Sequence, residues 1–73
     1  MTDQPRSVEL AAQIKALAAR IKSAQRREAI LRQQGNERDA NALAGQTADM
    51  QRRLALLRKV RKLVLAAERR GKE

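Results

Sequence analysis

The 73-residue chain contains no cysteine, no histidine and no aromatic residue. Without cysteine it forms no disulfide, and without cysteine or histidine it has no zinc site, so the staples that small domains commonly use are excluded. No hydroxyl lies near a usable base, no glycine-rich phosphate loop occurs, and the carboxylates never cluster at metal-ligand spacing. We therefore predict a protein that is not an enzyme, with no catalytic residue, no metal, no cofactor and no small-molecule substrate.

Long hydrophobic runs are missing as well. The longest, Leu63 to Ala67, has five residues, whereas a helix that spans a bilayer needs about 20. Residues 1–5 lack the basic-then-apolar pattern of a secretory signal, so we expect a cytoplasmic protein. A membrane surface is an unfavoured partner, because residues 54–72 are basic and amphipathic but contain no tryptophan or phenylalanine for the interface.

The chain does contain a heptad pattern, in two parts of equal length. Apolar residues recur at alternating spacings of four and three, the pattern that keeps one side of a helix facing a partner helix. The first ladder comprises Leu10, Ile14, Leu17, Ile21, Ala24, Glu28 and Leu31. The second comprises Leu43, Thr47, Met50, Leu54, Leu57, Arg61 and Val64. If the chain folds back between them, Ile21 lies opposite Met50 and Leu17 lies opposite Leu54.

The two ladders predict an all-α fold, a single antiparallel two-helix hairpin of the coiled-coil type. The predicted bounds within this one domain, residues 1–73, are about 7–34 for helix 1, 35–36 for the turn and about 37–70 for helix 2. Gly35 should take the left-handed conformation that closes helix 1, and Asn36 should cap helix 2. Helix 1 should be capped by Asp3 or Ser7, and Gly71 should stop helix 2.

Three positions depart from the regular pattern. Gly45 lies inside helix 2, where glycine costs roughly 1 kcal/mol relative to alanine. We expect a close approach of the two helices to compensate for it. Glu28 and Arg61 interrupt the ladders, and we expect them to fix the register of the helices while their aliphatic stems lie along the seam.

A second apolar stripe runs along helix 2 beside its ladder. It comprises Leu56, Val60, Leu63 and Ala67, which we call the outer stripe. A lone hairpin would leave Leu56, Val60 and Leu63 exposed, and such a patch usually marks an interface. We expect a homodimer that forms a four-helix bundle through a two-fold contact. The alternative occupant of the stripe is a different protein.

Positive charge is concentrated in the last third of the chain. The net charge is +9, from 17 basic and 8 acidic residues, and residues 52–72 carry nine basic residues against Glu68 alone. Most of these cations fall in a strip about 120° wide and about 27 Å long on helix 2. This basic strip comprises Arg52, Arg58, Lys59, Lys62, Arg69 and Arg70. A field of this sign favours nucleic acid or an acidic-surfaced protein as partner.

The basic strip predicts an accessory nucleic-acid binder that contacts the backbone of duplex DNA or folded RNA. Recognition of single strands by base stacking would need aromatic side chains. Arginine outnumbers lysine twelve to five, which suits bidentate phosphate contacts. In length, turn position and charge the chain resembles small ribosomal proteins built as basic helical hairpins, and in shape the dimeric hairpin RNA binders that control plasmid copy number. It shares no motif residue with either, so no functional position carries over.

The alternative function is a protein-binding adaptor or inhibitor, a small regulator of the kind that phages and plasmids encode. It would act on a host protein through Leu56, Val60 and Leu63 with the flanking arginines. Alanine- and arginine-rich chains are common in GC-rich bacteria and their phages or plasmids. The target would present an acidic rim around an apolar groove. The sequence leaves both functions open.

Overall fold

The computed structural model describes residues 5–71 and consists of two helices. Helix α1 runs from Arg6 to Gln33 and helix α2 from Glu37 to Gly71, and the two pack side by side. The predicted helical hairpin is thereby confirmed. The molecule measures 58 × 23 × 14 Å and has a radius of gyration of 16.8 Å, whereas a globular chain of this length would have about 11 Å. The hairpin is therefore a layer one helix thick, and most of its surface stays exposed.

The two heptad ladders form the seam between the helices. All fourteen ladder positions are buried or half-buried. Leu17 and Ile21 of α1 pack against Leu54 of α2, and the residues that surround them are Ile14, Ala18, Met50 and Leu57. The cluster contains both partners of the predicted pairs Ile21–Met50 and Leu17–Leu54. Within residues 5–71 no large side chain is completely buried, because each helix of a two-helix layer has only one neighbour.

The turn closes α1 with a Schellman motif. Gly35 has a φ of 76°, in the left-handed region that glycine adopts without strain. The N–H of Asn36 donates to the Leu31 carbonyl at 2.9 Å, and that of Gly35 donates to the Arg32 carbonyl at 3.1 Å. Asn36 Oδ1 accepts the N–H of Asp39 at 3.5 Å, and Asn36 Nδ2 donates to Asp39 Oδ2 at 2.8 Å. The predicted roles of Gly35 and Asn36 are confirmed.

The open end of the hairpin is closed by a polar cluster around Ser7, which is the second residue of α1 and only 5% exposed. The N–H and the hydroxyl of Ser7 donate to the two oxygens of the Glu68 carboxylate, at 3.3 and 2.8 Å. The Ser7 carbonyl accepts a hydrogen bond from Arg61 Nε at 3.3 Å. Glu68 of α2 therefore supplies a carboxylate to the N-terminus of α1, where the exposed N–H groups and the helix dipole favour negative charge.

One prediction about the helix ends is wrong. Ser7 does not cap α1, because the Pro5 carbonyl already accepts the N–H of Val8 at 2.9 Å and the helix has begun before Ser7. Asp3, the other candidate, lies outside the described residues. Helix α2 extends to Gly71, the last described residue, so the predicted stop at Gly71 stays a prediction.

The prediction about Gly45 is also wrong. A Cβ added at Gly45 would meet nothing within 4 Å, because this residue lies nearly opposite the seam of α2. In this half of α2 the residue that is completely buried is Ala40, which is 0% exposed. The glycine at position 45 is therefore not required by packing.

Replacing Gly45 and Gly35 by alanine should change the free energy of unfolding in opposite directions. Gly45→Ala adds a side chain in open space within a helix and should raise the free energy of unfolding by about 1 kcal/mol. Gly35→Ala places a Cβ at a positive φ and should lower it by about 1 kcal/mol. Urea unfolding followed by circular dichroism measures both changes. Shifts of the same sign would contradict this assignment of the two sites.

The Ser7 cluster should contribute measurably to stability. Ser7→Ala removes a hydrogen bond to a carboxylate and should lower the free energy of unfolding by about 1 to 2 kcal/mol. Ser23→Ala is the matched control, because Ser23 lies in the same helix but is exposed; alanine there should be neutral or stabilising by a few tenths of a kcal/mol. Equal effects of the two substitutions in thermal unfolding would show that the cluster contributes nothing.

Candidate functional site

A layer one helix thick has two broad faces, and each face of this hairpin has its own character. On one face, residues that are spaced seven apart border the seam in each helix. These series are Arg6, Gln13, Arg20 and Arg27 in α1, and Gln46, Arg53 and Val60 in α2. Three cavities lie along the seam, and each is lined by members of both series. The two series therefore lie on one side of the hairpin, which we call the groove face. The helical repeat places Lys15, Lys22, Arg58, Lys62 and Arg69 on the other side, the basic face. The remaining cations of the basic strip lie elsewhere on α2: Arg52 and Lys59 lie opposite the seam, and Arg70 lies one heptad after Leu63.

The cations of the basic strip are free to meet a partner. All six side chains are exposed. Within residues 5–71, only Arg52 of the six lies within ion-pair distance of a carboxylate, 3.9 Å from Asp49, and these two side chains are 85% and 81% exposed. Such an exposed pair contributes little. Glu68, the one acidic residue of segment 52–71, is held by Ser7 at the seam.

The middle of the hairpin carries positive charge from both helices. Segments 10–27 and 50–67 together contain eleven basic residues and no acidic residue. The basic face between them has a low floor of alanine, since Ala11 and Ala18 of α1 and Ala44 of α2 are half-buried there. Long cationic side chains therefore rise from both edges of a shallow surface, which is a suitable shape for an extended polyanion.

The groove face contains three connected cavities along the seam. Their volumes are about 440, 270 and 500 Å³, in order from the turn to the open end. Arg20 lines the first and second, while Gln13 and Leu57 line the second and third. The floor includes Leu43 and Met50, which are half-buried. Neighbouring cavities share walls, so they form one continuous groove.

The outer stripe lies at the edge of α2 next to the groove face. Leu56 is 61% exposed and Leu63 is 66% exposed, as predicted for a lone hairpin. Val60 is the exception: it is half-buried, because it lines the open-end cavity together with Leu10 and Leu57. Ala67 is exposed. The stripe does not cross the basic face, but it adjoins the basic strip, because Arg70 lies one heptad after Leu63.

The two predicted breaks in the ladders are satisfied locally. Glu28 accepts hydrogen bonds from Arg32 at 2.9 and 3.3 Å, and Arg32 also reaches Asn41 of α2 at 3.4 Å. Arg61 is half-buried and donates to the Ser7 carbonyl. Arg61 therefore joins the two helices directly, whereas Glu28 contacts α2 only through Arg32.

Two features went unnoticed in the sequence. The first is the row of arginines that α1 contributes to the groove. Arg6, Arg20 and Arg27 are spaced by multiples of seven, with Gln13 at the one intervening position, and this spacing is visible in the sequence. The contact between Ser7 and Glu68 left no such signal, because these residues are 61 positions apart and meet only through the register of the folded hairpin.

Comparison of the chain with protein-family models, with curated proteins and with solved structures finds no match in any of the three. In the part of the chain that the structure describes, neither helix has a segment long and apolar enough to cross a bilayer. No group of three or more acidic side chains among those residues could hold a metal ion. Geometry and charge are therefore the basis for assigning a function.

Proposed function

We propose that this protein is a non-enzymatic, cytoplasmic accessory nucleic-acid binder that contacts the backbone of duplex DNA or folded RNA through its basic face. The observation that carries this proposal is the state of the basic strip. Its side chains are exposed, and five of the six have no carboxylate partner within residues 5–71. Three of them, Arg58, Lys62 and Arg69, share the basic face with Lys15 and Lys22 of the other helix.

The dimensions of the basic face suit a nucleic-acid backbone. A duplex presents one negative charge per about 1.7 Å of its axis, so a strip about 27 Å long can meet several phosphates at once. Arginine can bind a phosphate through two parallel hydrogen bonds. The alanine floor carries no group that reads a base edge, so binding through this face should depend little on sequence.

We propose further that two copies associate through the outer stripe and form a four-helix bundle. The support is the exposure of Leu56 and Leu63, two large apolar side chains one heptad apart. Because the stripe lies on the groove side of α2, such a dimer would leave the basic face of each copy uncovered. Sedimentation of a Leu56→Asp, Leu63→Asp variant tests the dimer, and a variant that sediments like the unmodified chain would refute it.

The second candidate function is an adaptor or inhibitor that binds an acidic-surfaced host protein. The same exposed leucines favour it, since a partner with an apolar groove would cover them as well as a second copy would. A pull-down from nuclease-treated lysate separates the two functions. A stoichiometric protein that stays bound after nuclease treatment, and is lost with Leu56→Asp and Leu63→Asp, would support the adaptor.

Salt dependence tests nucleic-acid binding most directly. If the five cations of the basic face contact phosphates, affinity for duplex DNA or folded RNA should fall about 500-fold between about 50 and 200 mM salt, because bound counterions are released on association. Fluorescence anisotropy with labelled duplexes of unrelated sequence measures this fall. Binding that does not respond to salt, or no binding to either nucleic acid, would refute the proposed function.

A further inference from the structure

The groove face carries charges that the contact between α1 and α2 does not use. In an antiparallel helix pair, the residues that border the seam on one face lie across from one another, and opposite charges there commonly join the helices. Here Arg20 of α1 and Arg53 of α2 line the same cavity. Arg27, one heptad after Arg20, lines the next cavity toward the turn. The like charges leave these positions without an internal partner, since none of the three makes an ion pair with residues 5–71.

The floor of the groove is apolar and only partly covered. Leu43, Met50 and Leu57 of α2 are half-buried along it. Leu54 and Thr47 of the same helix are buried, so these three side chains are the part of the α2 seam that a third helix could cover. From Arg6 to Arg27 the α1 wall extends about 32 Å, which is the length of about three heptads of helix. The groove therefore offers an apolar track of helical length, with Arg20, Arg27 and Arg53 on its walls in the two cavities nearer the turn. At the open end Glu9 lines the groove beside Arg6, so the positive charge is concentrated toward the turn.

We propose that this groove binds an amphipathic α-helix of a partner protein whose apolar stripe is flanked by aspartate or glutamate. The apolar stripe packs on Leu43, Met50 and Leu57 and completes a three-helix bundle. The flanking carboxylates pair with Arg20, Arg27 and Arg53, whose guanidinium groups match a carboxylate through two parallel hydrogen bonds. Charge complementarity thus defines the partner as an acidic helix.

Other occupants fit the groove less well. A second copy of the chain would bring its own Arg20, Arg27 and Arg53 to the same space, where like charges repel. A nucleic-acid backbone would leave the leucine floor without apolar contact, and the chain has no aromatic side chain on which a base could stack. The proposed dimer uses Val60, which also lines the open-end cavity, so a helix that fills the whole groove competes with that dimer.

This inference does not depend on nucleic-acid binding, because it concerns the opposite face of the hairpin. The probe is a synthetic three-heptad peptide with leucine at the seam positions and glutamate at the positions beside them. A twin peptide carries lysine in place of glutamate. In anisotropy titrations with the full chain, the glutamate peptide should bind at least about tenfold more tightly than the lysine peptide, because ion pairs replace repulsions along the walls.

Two double variants with equal changes in net charge locate the binding site. The groove variant is Arg20→Glu with Arg27→Glu, and the basic-face variant is Arg58→Glu with Lys62→Glu; all four side chains are exposed. The groove variant should lose about tenfold or more in affinity for the glutamate peptide, while the basic-face variant should lose little. Equal losses would mean that only the overall field attracts the peptide, and the proposal would be wrong. No binding of the glutamate peptide would also overturn it.

A label gives a second readout that needs no charge change. Because the chain has no cysteine, Ser23→Cys can carry a fluorophore in the groove and Ala55→Cys a fluorophore on the basic face. The glutamate peptide should change the emission of the first label and leave the second unchanged. A response only at Ala55→Cys would overturn the proposal. So would a change in the oligomeric state of the free groove variant, which would identify a second copy as the occupant.

Discussion

Replacing Arg58 and Lys62 together by glutamate is expected to reduce affinity for duplex DNA or folded RNA by about 100-fold or more at physiological salt. The change removes two phosphate contacts and adds two negative charges on the basic face. It should also reduce the slope of log affinity against log salt by about 2, since each contact contributes about one counterion. Helix content should not change, because both side chains are exposed and form no ion pair within residues 5–71.

The matched control for this prediction is Arg20→Glu with Arg27→Glu. It lowers the net charge by the same amount, but these arginines lie on the groove face. Its affinity for nucleic acid should fall only through the weaker overall field, and its salt slope should stay near that of the unmodified chain. If the two double variants lose affinity equally, the basic face is not the contact surface and net charge alone accounts for binding.

Leu54→Ala is expected to lower the free energy of unfolding by about 2 to 3 kcal/mol, in the lower part of the range for buried leucines. Leu54 is 9% exposed and packs against Leu17 and Ile21 at the centre of the seam. The loss is large for a domain of this size, whose whole stability should be about 4 to 11 kcal/mol. Chemical unfolding at a fixed protein concentration measures it.

Leu56→Ala provides the comparison for this second prediction. The same substitution two residues further along removes a side chain that is 61% exposed in the hairpin. At low protein concentration, where the hairpin is monomeric, it should change the free energy of unfolding by less than about 0.5 kcal/mol. A loss that grows with protein concentration would support the proposed dimer through the outer stripe. A loss as large as that of Leu54→Ala at all concentrations would contradict the assigned seam.

Much of the fold could be predicted because its determinants are local or periodic. The seam follows from the four-three spacing, and every ladder position predicted to face the partner is buried or half-buried. The turn follows from Gly35 and Asn36, whose backbone preferences act over a few residues. The prediction of a close helix approach at Gly45 was wrong because it was based on the alanines around this residue. Whether the other helix can approach depends instead on the side of α2 on which Gly45 lies.

The candidate site was predicted less completely. The exposure of the basic strip and of Leu56 and Leu63 followed from their distance from the seam. The groove was missed because Arg20, Arg27 and Arg53 belong to different helices, and their shared cavities exist only once the helices lie side by side. For the same reason Val60 was assigned to the exposed stripe, although it is half-buried at the cavity that Leu10 of the other helix also lines.

The amino-acid sequence by itself determined that the chain forms two amphipathic helices, where they turn, and that positive charge dominates the second helix. These properties depend on backbone preference, periodicity and composition, which act along one segment at a time. Only the tertiary structure decided which cations share a face, that Glu68 turns inward to the N-terminus of α1, and that arginines wall an apolar groove. These properties depend on the register and the side-by-side placement of two helices, and they arise from contacts between residues far apart in the chain.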